Sequence, residues 1–249
     1  NFNYKMLRIA LGGFLVLVLG VLDDKYNIKA KYKLFLQIMI AMLMCLMGFK
    51  IQQLTNPFGS EIQLGFYAYP FTIFWYLVIM NAINLIDGLD GLATGISVIT
   101  CLVLIFTGWH YNNLLVVYIC TLLSGSLLAF LKYNYPPSRL FMGDSGSLFI
   151  GFQLATVSII GSFQLKGLTT ITLLIPVTVL FVPLFDTLLS VLRRIKSGQN
   201  VFKADKNHIH HRMLNVGFST KTVVFIAWFI TALFGIISLG YVFISKQIM

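Results

Sequence analysis

Long apolar runs recur along this chain and constrain its fold more than any other feature of the sequence. A helix that crosses a bilayer needs roughly 20 mostly apolar residues. We predict eight such spans, at residues 6–22, 34–50, 66–85, 92–109, 114–131, 146–163, 168–192 and 222–244. Only 10% of the 249 residues are charged, which excludes an ordinary soluble domain. The expected fold is an all-α, polytopic membrane bundle.

The basic residues are distributed unequally between the two sides of these spans. Thirteen of the 18 lysines and arginines fall in the loops after the odd-numbered spans. The positive-inside rule assigns these loops to the cytoplasm. It also explains the net charge of +10 without a nucleic-acid partner. Six of the eight acidic residues lie in the same loops, so the candidate chemistry is at the cytoplasmic face.

Two adjacent acids, Asp23 and Asp24, follow the first span. Neighbouring carboxylates repel each other and are unfavourable beside lipid unless a cation or a proton occupies the site. A divalent metal or a proton-transfer role would explain the pair. Pairing with the lysines of the same loop would explain it equally well.

A second motif, NAINLIDGLDGL, occupies residues 81–92. Asp87 and Asp90 are three residues apart, as are Asn81 and Asn84, so each pair shares a face if the segment is helical. Four polar side chains at regular spacing are unfavourable in so apolar a chain. This favours a functional role over a simple polar turn.

The third motif, FMGDSGS at residues 141–147, leads into the sixth span. It places Asp144 and free backbone N–H groups at a predicted helix N-terminus, which suits a phosphate or a cation that bridges to one. Asp144 or Ser145 could also cap the helix, and capping is compatible with metal binding because the two use different oxygens.

The fourth motif, DKNHIHHR, occupies residues 205–212. Three histidines within four residues could bind zinc. Lys206 and Arg212 make the loop cationic, however, so contact with phosphate is the favoured interpretation. A basic loop without a specific ligand comes second, and a zinc site comes third. Asp186, inside the seventh span, is either functional or an ion-pair partner of Arg193 or Arg194.

Acids, amides and a cationic loop on one membrane face suit phosphoryl transfer between two anionic substrates, one of them a lipid. The motifs NAINLIDGLDGLATG, FMGDSGSLFIGF and HIHHRML resemble the polyprenyl-phosphate N-acetylhexosamine-1-phosphate transferase family, glycosyltransferase family 4. The resemblance runs from Asp23 to Arg212. It implies transfer of N-acetylglucosamine-1-phosphate from UDP-N-acetylglucosamine to undecaprenyl phosphate, with release of UMP, as the first membrane step of cell-envelope polysaccharide synthesis. HIHHRML favours this donor over UDP-N-acetylmuramoyl-pentapeptide, which is the alternative.

The resemblance also implies roles for individual residues. The expected catalytic acids are Asp23, Asp24, Asp87, Asp90 and Asp144. The expected ligands of Mg²⁺, with Mn²⁺ as an alternative, are Asp144 and Asn84. The expected substrate contacts are Lys33, Asn84, Phe141, His208, His210, His211 and Arg212. Among these, Lys33 would contact the diphosphate, Phe141 would stack on uracil, and the His/Arg loop would close over the diphosphate and sugar.

Members of this family usually carry two further spans before this point, so we expect residues 1–249 to form one transmembrane catalytic domain that lacks them and is inactive alone. Asn27 stands where some members have a third Asp. The expected location is the bacterial inner (cytoplasmic) membrane, with a UDP-sugar and a polyprenyl phosphate lipid as partners. A homodimer is compatible with this interpretation.

Three other functions remain as rivals. A membrane prenyltransferase or a CDP-alcohol phosphotransferase would explain neither HIHHRML nor FMGDSG. An ion-coupled transporter would place acids near the midplane of several spans, whereas only Asp186 lies within one.

Overall fold

The computed structural model describes residues 2–54, 62–162, 180–196 and 213–248. Helices α1 to α8 occupy, in order, Phe2–Tyr26, Ala30–Leu46, Ala68–Ile86, Leu92–His110, Leu114–Asn134, Gly143–Ser162, Phe181–Lys196 and Thr220–Ile248. Two short antiparallel strands, β1 (Gln53–Leu54) and β2 (Ile62–Gln63), pair Gln53 with Gln63, and a 3-10 turn at Gly65–Tyr67 leads into α3. The predicted all-α fold is confirmed.

Five segments among the described residues are long and apolar enough to cross a membrane. They are Phe2–Tyr26, Gly65–Ile86, Leu92–His110, Leu114–Asn134 and Thr220–Gly240, and they correspond to the first, third, fourth, fifth and eighth predicted spans. The second predicted span is a helix of only 17 residues, α2. The sixth is α6. The seventh coincides with α7 from Phe181 onward, and its residues 168–179 lie outside the described ranges. The chain is therefore a polytopic, helical membrane protein.

Helix α6 lies at the centre of the bundle. It packs mainly against α1 and α3, and also contacts α4 and α5. Its side chains from Leu148 to Ile160 are mostly buried, including the hydroxyls of Thr156 and Ser158. Ser158 accepts a hydrogen bond from the Trp75 indole at 2.8 Å. Because protein rather than lipid surrounds α6, it tolerates polar side chains that a lipid-facing helix could not satisfy.

Two glycines allow the backbone of α6 to approach its neighbours closely. A Cβ atom on Gly20 of α1 would lie 2.3 Å from the Cα of Ser145, and one on Gly151 of α6 would lie 2.6 Å from the Cα of Met80. A backbone atom cannot rotate away as a side chain can, so any larger residue forces the helices apart. The Gly20 crossing fixes the end of α1, which carries Asp23 and Asp24, against the start of α6.

Alternating helix directions bring the predicted functional loops to one end of the bundle. Helices α1, α3 and α5 end there, and α2, α4 and α6 begin there, as the contacts below show. The prediction that these loops share a face is therefore confirmed for the loops after α1, α3 and α5. The fourth predicted loop, DKNHIHHR, lies outside the described residues.

Candidate active site

The ammonium group of Lys33 lies at the centre of a polar cluster. Its Nζ is 2.7 Å from Oδ2 of Asp23 and 3.0 Å from Oδ2 of Asp144, and it donates a hydrogen bond to Oδ1 of Asn84 at 3.2 Å. These residues come from α1, α2, α3 and α6. Four helices thus converge so that three side-chain oxygens surround one cation. We call these four residues the acid cluster.

The acid cluster is largely shielded from solvent. The side chains of Asp23, Lys33 and Asp144 are 6%, 14% and 35% exposed, respectively. Buried charges are tolerated only when they are paired and hydrogen-bonded, since removal of one partner leaves an uncompensated charge. Asp23 and Asp144 could not both remain ionised here without a cation between them.

Hydrogen bonds fix the orientation of the Asn84 amide. Its Nδ2 donates to Oδ1 of Asp144 and, at 2.8 Å, to the hydroxyl of Ser147. The Ser147 hydroxyl in turn donates to the carbonyl of Gly143 at 2.9 Å. The amide oxygen of Asn84 is therefore turned toward Lys33. Ser147 was not predicted, although its position three residues after Asp144 places it on the same helical face.

Asp24 holds the start of α6. Its Oδ1 accepts a hydrogen bond from the backbone N–H of Asp144 at 2.7 Å, and its Oδ2 accepts one from the N–H of Ser145 at 3.0 Å. Gly143 has φ +66°, and a Cβ there would lie 2.9 Å from Oδ2 of Asp24. A carboxylate from α1 thus binds the first N–H groups of α6, where negative charge is favourable. This leaves the Asp144 carboxylate for the cluster.

Asp23 also closes the turn between α1 and α2. Its Oδ1 accepts a hydrogen bond from the N–H of Ile28 at 2.8 Å, and its carbonyl accepts one from the N–H of Asn27 at 2.8 Å. Asn27 has φ +49°, a conformation that Asn adopts more readily than most residues. The turn reverses the chain so that Lys33 meets Asp23.

A pair of hydrogen-bonded amides, Gln37 and Asn81, lies about one helical turn from the acid cluster. Nδ2 of Asn81 donates to Oε1 of Gln37 at 2.8 Å, which joins α3 to α2. Gln37 is fully buried. Gln37 follows Lys33 by four residues and therefore lies on the same face of α2. Asn81 precedes Asn84 by three residues and lies on the same face of α3, so this hydrogen bond holds the two faces together next to the cluster. The sequence analysis singled out Asn81 but missed Gln37, for which the spacing from Lys33 was the available signal.

A cavity of about 400 Å³ opens beside the acid cluster. Its lining includes Asp23, Asp24, Asn27, Asn84, Asp87, Asp90, Phe141 and Asp144. Burial raises the pKa of the Asp87 carboxyl to about 7, with smaller contributions from the nearby carboxylates, Asp144 first among them. A carboxyl group that titrates near neutrality in an acid-lined cavity is suited to exchange a proton or to gain a cation.

Asp90 and Asn134 hold the loops that border this cavity. Oδ2 of Asp90 accepts a hydrogen bond from the N–H of Ser138 at 3.0 Å. Oδ1 of Asn134 accepts one from the N–H of Gly91 at 3.0 Å, and its Nδ2 donates to the carbonyl of Leu140 at 2.9 Å. These bonds tie the α3–α4 loop to the segment between α5 and α6. They give Asp90 a positioning role and add Asn134, which the sequence analysis missed, to the site.

Phe141 lies at the rim of the cavity and is 80% exposed. An exposed ring beside a polar cavity is available to stack on a planar base. The other predicted substrate contacts lie outside the described residues; they are His208, His210, His211 and Arg212.

The acid cluster has the donor set of a hard cation. Among the described residues, no three Asp, Glu, His or Cys side chains converge to form a complete metal cage. Mg²⁺ does not require one, because it usually binds one or two carboxylates and keeps water or substrate phosphate as its other ligands. The carboxylate of Asp144 and the amide oxygen of Asn84 flank a position already filled by a cationic group. The residues present therefore fit Mg²⁺.

Comparison with known proteins identifies the family. Residues 6–162 match the family model described as glycosyl transferase family 4. This segment contains every member of the acid cluster. The chain belongs to glycosyl transferase family 4. The resemblance seen in the sequence motifs is confirmed.

Several named bacterial proteins are similar to most of this chain. A probable undecaprenyl-phosphate N-acetylglucosaminyl 1-phosphate transferase of Bacillus subtilis (strain 168) is 40% identical over 233 residues, which cover 93% of this chain and 64% of the relative. A decaprenyl-phosphate N-acetylglucosaminephosphotransferase of Mycobacterium leprae (strain TN) is 33% identical, with 91% and 62% covered. A phospho-N-acetylmuramoyl-pentapeptide-transferase of Thermoanaerobacter sp. (strain X514) is 34% identical, with 91% and 73% covered. The chain thus spans slightly less than two thirds of the first two relatives.

Proposed function

We propose that this family 4 protein transfers N-acetylglucosamine-1-phosphate from UDP-N-acetylglucosamine to a polyprenyl phosphate, undecaprenyl phosphate in the first instance, and releases UMP. The observation that carries the proposal is the convergence of Asp23, Lys33, Asn84 and Asp144 at one end of a membrane bundle. The similarity to a relative named for this transfer supports it. The reaction would begin the synthesis of a cell-envelope polysaccharide.

The chemistry exchanges one diphosphate linkage for another. A phosphate oxygen of the lipid attacks the sugar-linked phosphorus of the nucleotide sugar. The bond from that phosphorus to the bridging oxygen breaks, and UMP leaves with the electron pair. Both reactants are anions, so catalysis consists mainly of positioning them and neutralising their charge.

The acid cluster supplies the groups for that task. Asp144 and Asn84 would hold Mg²⁺, which when bound neutralises the diphosphate charge. Lys33 can contact a phosphate once another cation pairs with the two acids.

Residues around the acid cluster have supporting roles in this proposal. Asp24 keeps Asp144 in place through the start of α6. Asp87 can release or take up a proton near neutral pH. Phe141 offers its exposed ring to uracil.

We place this chemistry at the cytoplasmic face of the bacterial inner membrane. The loops that carry the acid cluster are on the side richer in Lys and Arg, which the positive-inside rule assigns to the cytoplasm. The isoprenoid chain of the acceptor would remain in the bilayer while its phosphate reaches the cluster at the interface.

UDP-N-acetylmuramoyl-pentapeptide is the second candidate donor. It is supported by the 34% identity to the Thermoanaerobacter relative, which this chain covers to 73% of its length. The acid cluster serves either donor equally, because both carry the same UDP diphosphate. The two donors differ in the groups attached to the sugar.

The test is UMP release by the full-length protein with undecaprenyl phosphate and Mg²⁺, with the two nucleotide donors assayed in parallel. We expect release from UDP-N-acetylglucosamine alone. It should fall by at least about a thousandfold in Asp144→Asn and stay unchanged in the charge-matched control Glu61→Gln. Release from the pentapeptide nucleotide alone would overturn the donor assignment. No release from either donor by folded protein would overturn the proposed function.

A further inference from the structure

Two basic residues line a second cavity, which the proposed reaction does not use. Lys5 and Arg8, both exposed on the first turns of α1, border a cavity of about 430 Å³. The remaining lining residues come from the segment just after α2, the start of α5 and the end of α6. Nη1 of Arg8 donates a hydrogen bond to the carbonyl of Met47 at 2.9 Å, which fixes one edge of the guanidinium group. We call this the cationic cavity, and none of its lining residues is acidic.

The cationic cavity lies at the opposite end of the bundle from the acid cluster. Helix α1 runs from Lys5 at this cavity to Asp23 in the cluster, and α6 runs back from Asp144 to Ile160. At 1.5 Å per residue, the rise from Arg8 to Asp23 is about 22 Å. That is most of the roughly 30 Å thickness of a hydrocarbon core. The two sites therefore belong to opposite membrane faces.

An apolar cavity of about 460 Å³ is lined by α1, α5 and α6, three helices that also contribute to the lining of the cationic cavity. Helices α1 and α5 both pack on α6 but make few contacts with each other, so a groove runs between them with α6 as its floor. The groove is lined on α1 by residues from Met6 to Leu17, and its only polar lining residues are Ser126 and Gln153. We call it the α1–α5 groove.

The residues of the two cavities follow one another in depth on every helix. On α1, Lys5 and Arg8 come before Phe14 and Leu17. On α5, Leu115 lines the cationic cavity, and residues from Ile119 to Ser126 line the groove. Helix α6 runs the other way, and Ile160 lines the cationic cavity while Gln153 and Phe149 line the groove. A charged end is thus followed by an apolar channel.

This arrangement matches the dimensions and charge of a phospholipid. The distance along α1 from Lys5 to Leu17 is about 18 Å, slightly more than half of a hydrocarbon core, which is the depth of one leaflet. Lys and Arg near a bilayer surface attract anionic headgroups. The N-terminus of α5, capped by Asn113, adds partial positive charge at the same cavity.

We propose that an anionic phospholipid, from the leaflet opposite the acid cluster, binds at this site. Its phosphate pairs with Lys5 and Arg8, and one of its acyl chains lies in the α1–α5 groove. A bound lipid would fill the space between two helices that otherwise share only α6 as a support. Since α1 carries Asp23 and Asp24, the lipid would support the helix that supplies two of the predicted catalytic acids.

The test is native mass spectrometry of the full-length protein in detergent, titrated separately with phosphatidylglycerol, phosphatidylcholine and inorganic phosphate. We expect the unmodified protein to retain phosphatidylglycerol in preference to phosphatidylcholine. The double variant Lys5→Gln/Arg8→Gln should bind phosphatidylglycerol about 25-fold more weakly, at about fivefold for each cation removed. The matched control Lys50→Gln/Lys132→Gln loses the same charge outside the site and should bind normally.

A groove-filling variant distinguishes the binding of a lipid from the binding of a free anion. Ala10→Phe places a ring in the α1–α5 groove and should weaken phosphatidylglycerol binding without changing the cations. Phosphate binding that resists Ala10→Phe, with no selectivity for phosphatidylglycerol, would show a site for free anions and overturn the proposal. Equal retention of both lipids by the unmodified protein would show general solvation by lipid and also overturn it. A lipid-free dimer disrupted by Ala10→Phe would assign the groove to a second copy instead.

Discussion

Replacement of Lys33 by glutamine should destabilise the protein in a pH-dependent manner. The substitution removes the only cation that contacts both Asp23 and Asp144 among the described residues, while glutamine keeps most of the side-chain volume. Two carboxylates that had shared one ammonium group would then face each other. The folded protein can relieve this repulsion by binding one additional proton.

The size of the effect follows from the distances. At an effective dielectric constant near 20, charges 2.7 and 3.0 Å apart attract with about 6 kcal/mol each, before the opposing cost of desolvation. Proton uptake limits the loss, because protonation of an ordinary Asp at pH 7 costs about 4 kcal/mol. The 35% exposure of the Asp144 side chain admits some water and reduces the loss further. We therefore expect a destabilisation of about 3 kcal/mol at pH 7.

The pH dependence distinguishes this explanation from a simple loss of packing. In the variant, the folded state binds a proton that the unfolded state has released, so its stability relative to the unmodified protein decreases as the pH rises from 4 to 7. At pH 5 the limiting cost of proton uptake is only about 1.5 kcal/mol. Mg²⁺ should restore stability at pH 7, because it can take the place of the lost cation.

The assay is urea unfolding in detergent micelles at pH 5 and pH 7, with and without Mg²⁺. Lys25→Gln is the matched control, since Lys25 is exposed on the last turn of α1 and should contribute less than about 0.5 kcal/mol. An equal destabilisation of Lys33→Gln at both pH values, unaffected by Mg²⁺, would refute the account of Lys33 as the counter-ion of the two acids.

Three further predictions follow from the site. Because burial raises the pKa of Asp87 to about 7, a cation that enters the cavity should displace a proton from this carboxyl group. The Mg²⁺ affinity measured by calorimetry should therefore rise from pH 6 to pH 8, and this pH dependence should be lost in Asp87→Asn. Gly20→Ala should lower the stability by about 1–3 kcal/mol and reduce UMP release, whereas Gly125→Ala, with open space around it, should be neutral or stabilising in thermal unfolding. Asp24→Ala should lower the free energy of unfolding by about 1–2 kcal/mol, because the hydrogen bonds to the start of α6 are lost. It should also weaken Mg²⁺ binding, because Asp144 is no longer held in place. Unchanged Mg²⁺ affinity in a folded Asp24→Ala would contradict this positioning role.

The helices and their common face could be predicted from the sequence because they depend on local composition. An apolar run of about 20 residues has few alternatives to a membrane helix, and helices that alternate in direction must bring every second loop together. The end of α3 was placed within one residue and the start of α6 within three residues for this reason. The charge pattern placed Asp23 and Asp144 on one face, and the family resemblance implied that Asn84 lies beside Asp144.

The partners of individual side chains could not be predicted in the same way. Asp24 binds N–H groups 120 residues away, and its bidentate contact depends on the Gly20 crossing and on the positive φ of Gly143. No local pattern encodes that geometry. The resemblance implied that Lys33 contacts a diphosphate, and no local pattern indicated the two carboxylates that its ammonium group contacts in the structure. The catalytic roles assigned by resemblance stay predictions, including those of the His/Arg loop.

The contact between Asp24 and α6 reverses the charge that the start of this helix would otherwise present to a ligand. A helix that begins with glycine and two free N–H groups is ordinarily a cradle for phosphate. Here the Asp24 carboxylate already accepts hydrogen bonds from these N–H groups, so the start of α6 carries negative charge and repels a free anion. The neighbouring carboxylates of Asp23, Asp87 and Asp144 line the same cavity and add to this negative charge. Under the proposed function, a nucleotide sugar would therefore enter this site together with a divalent cation that balances the negative charge.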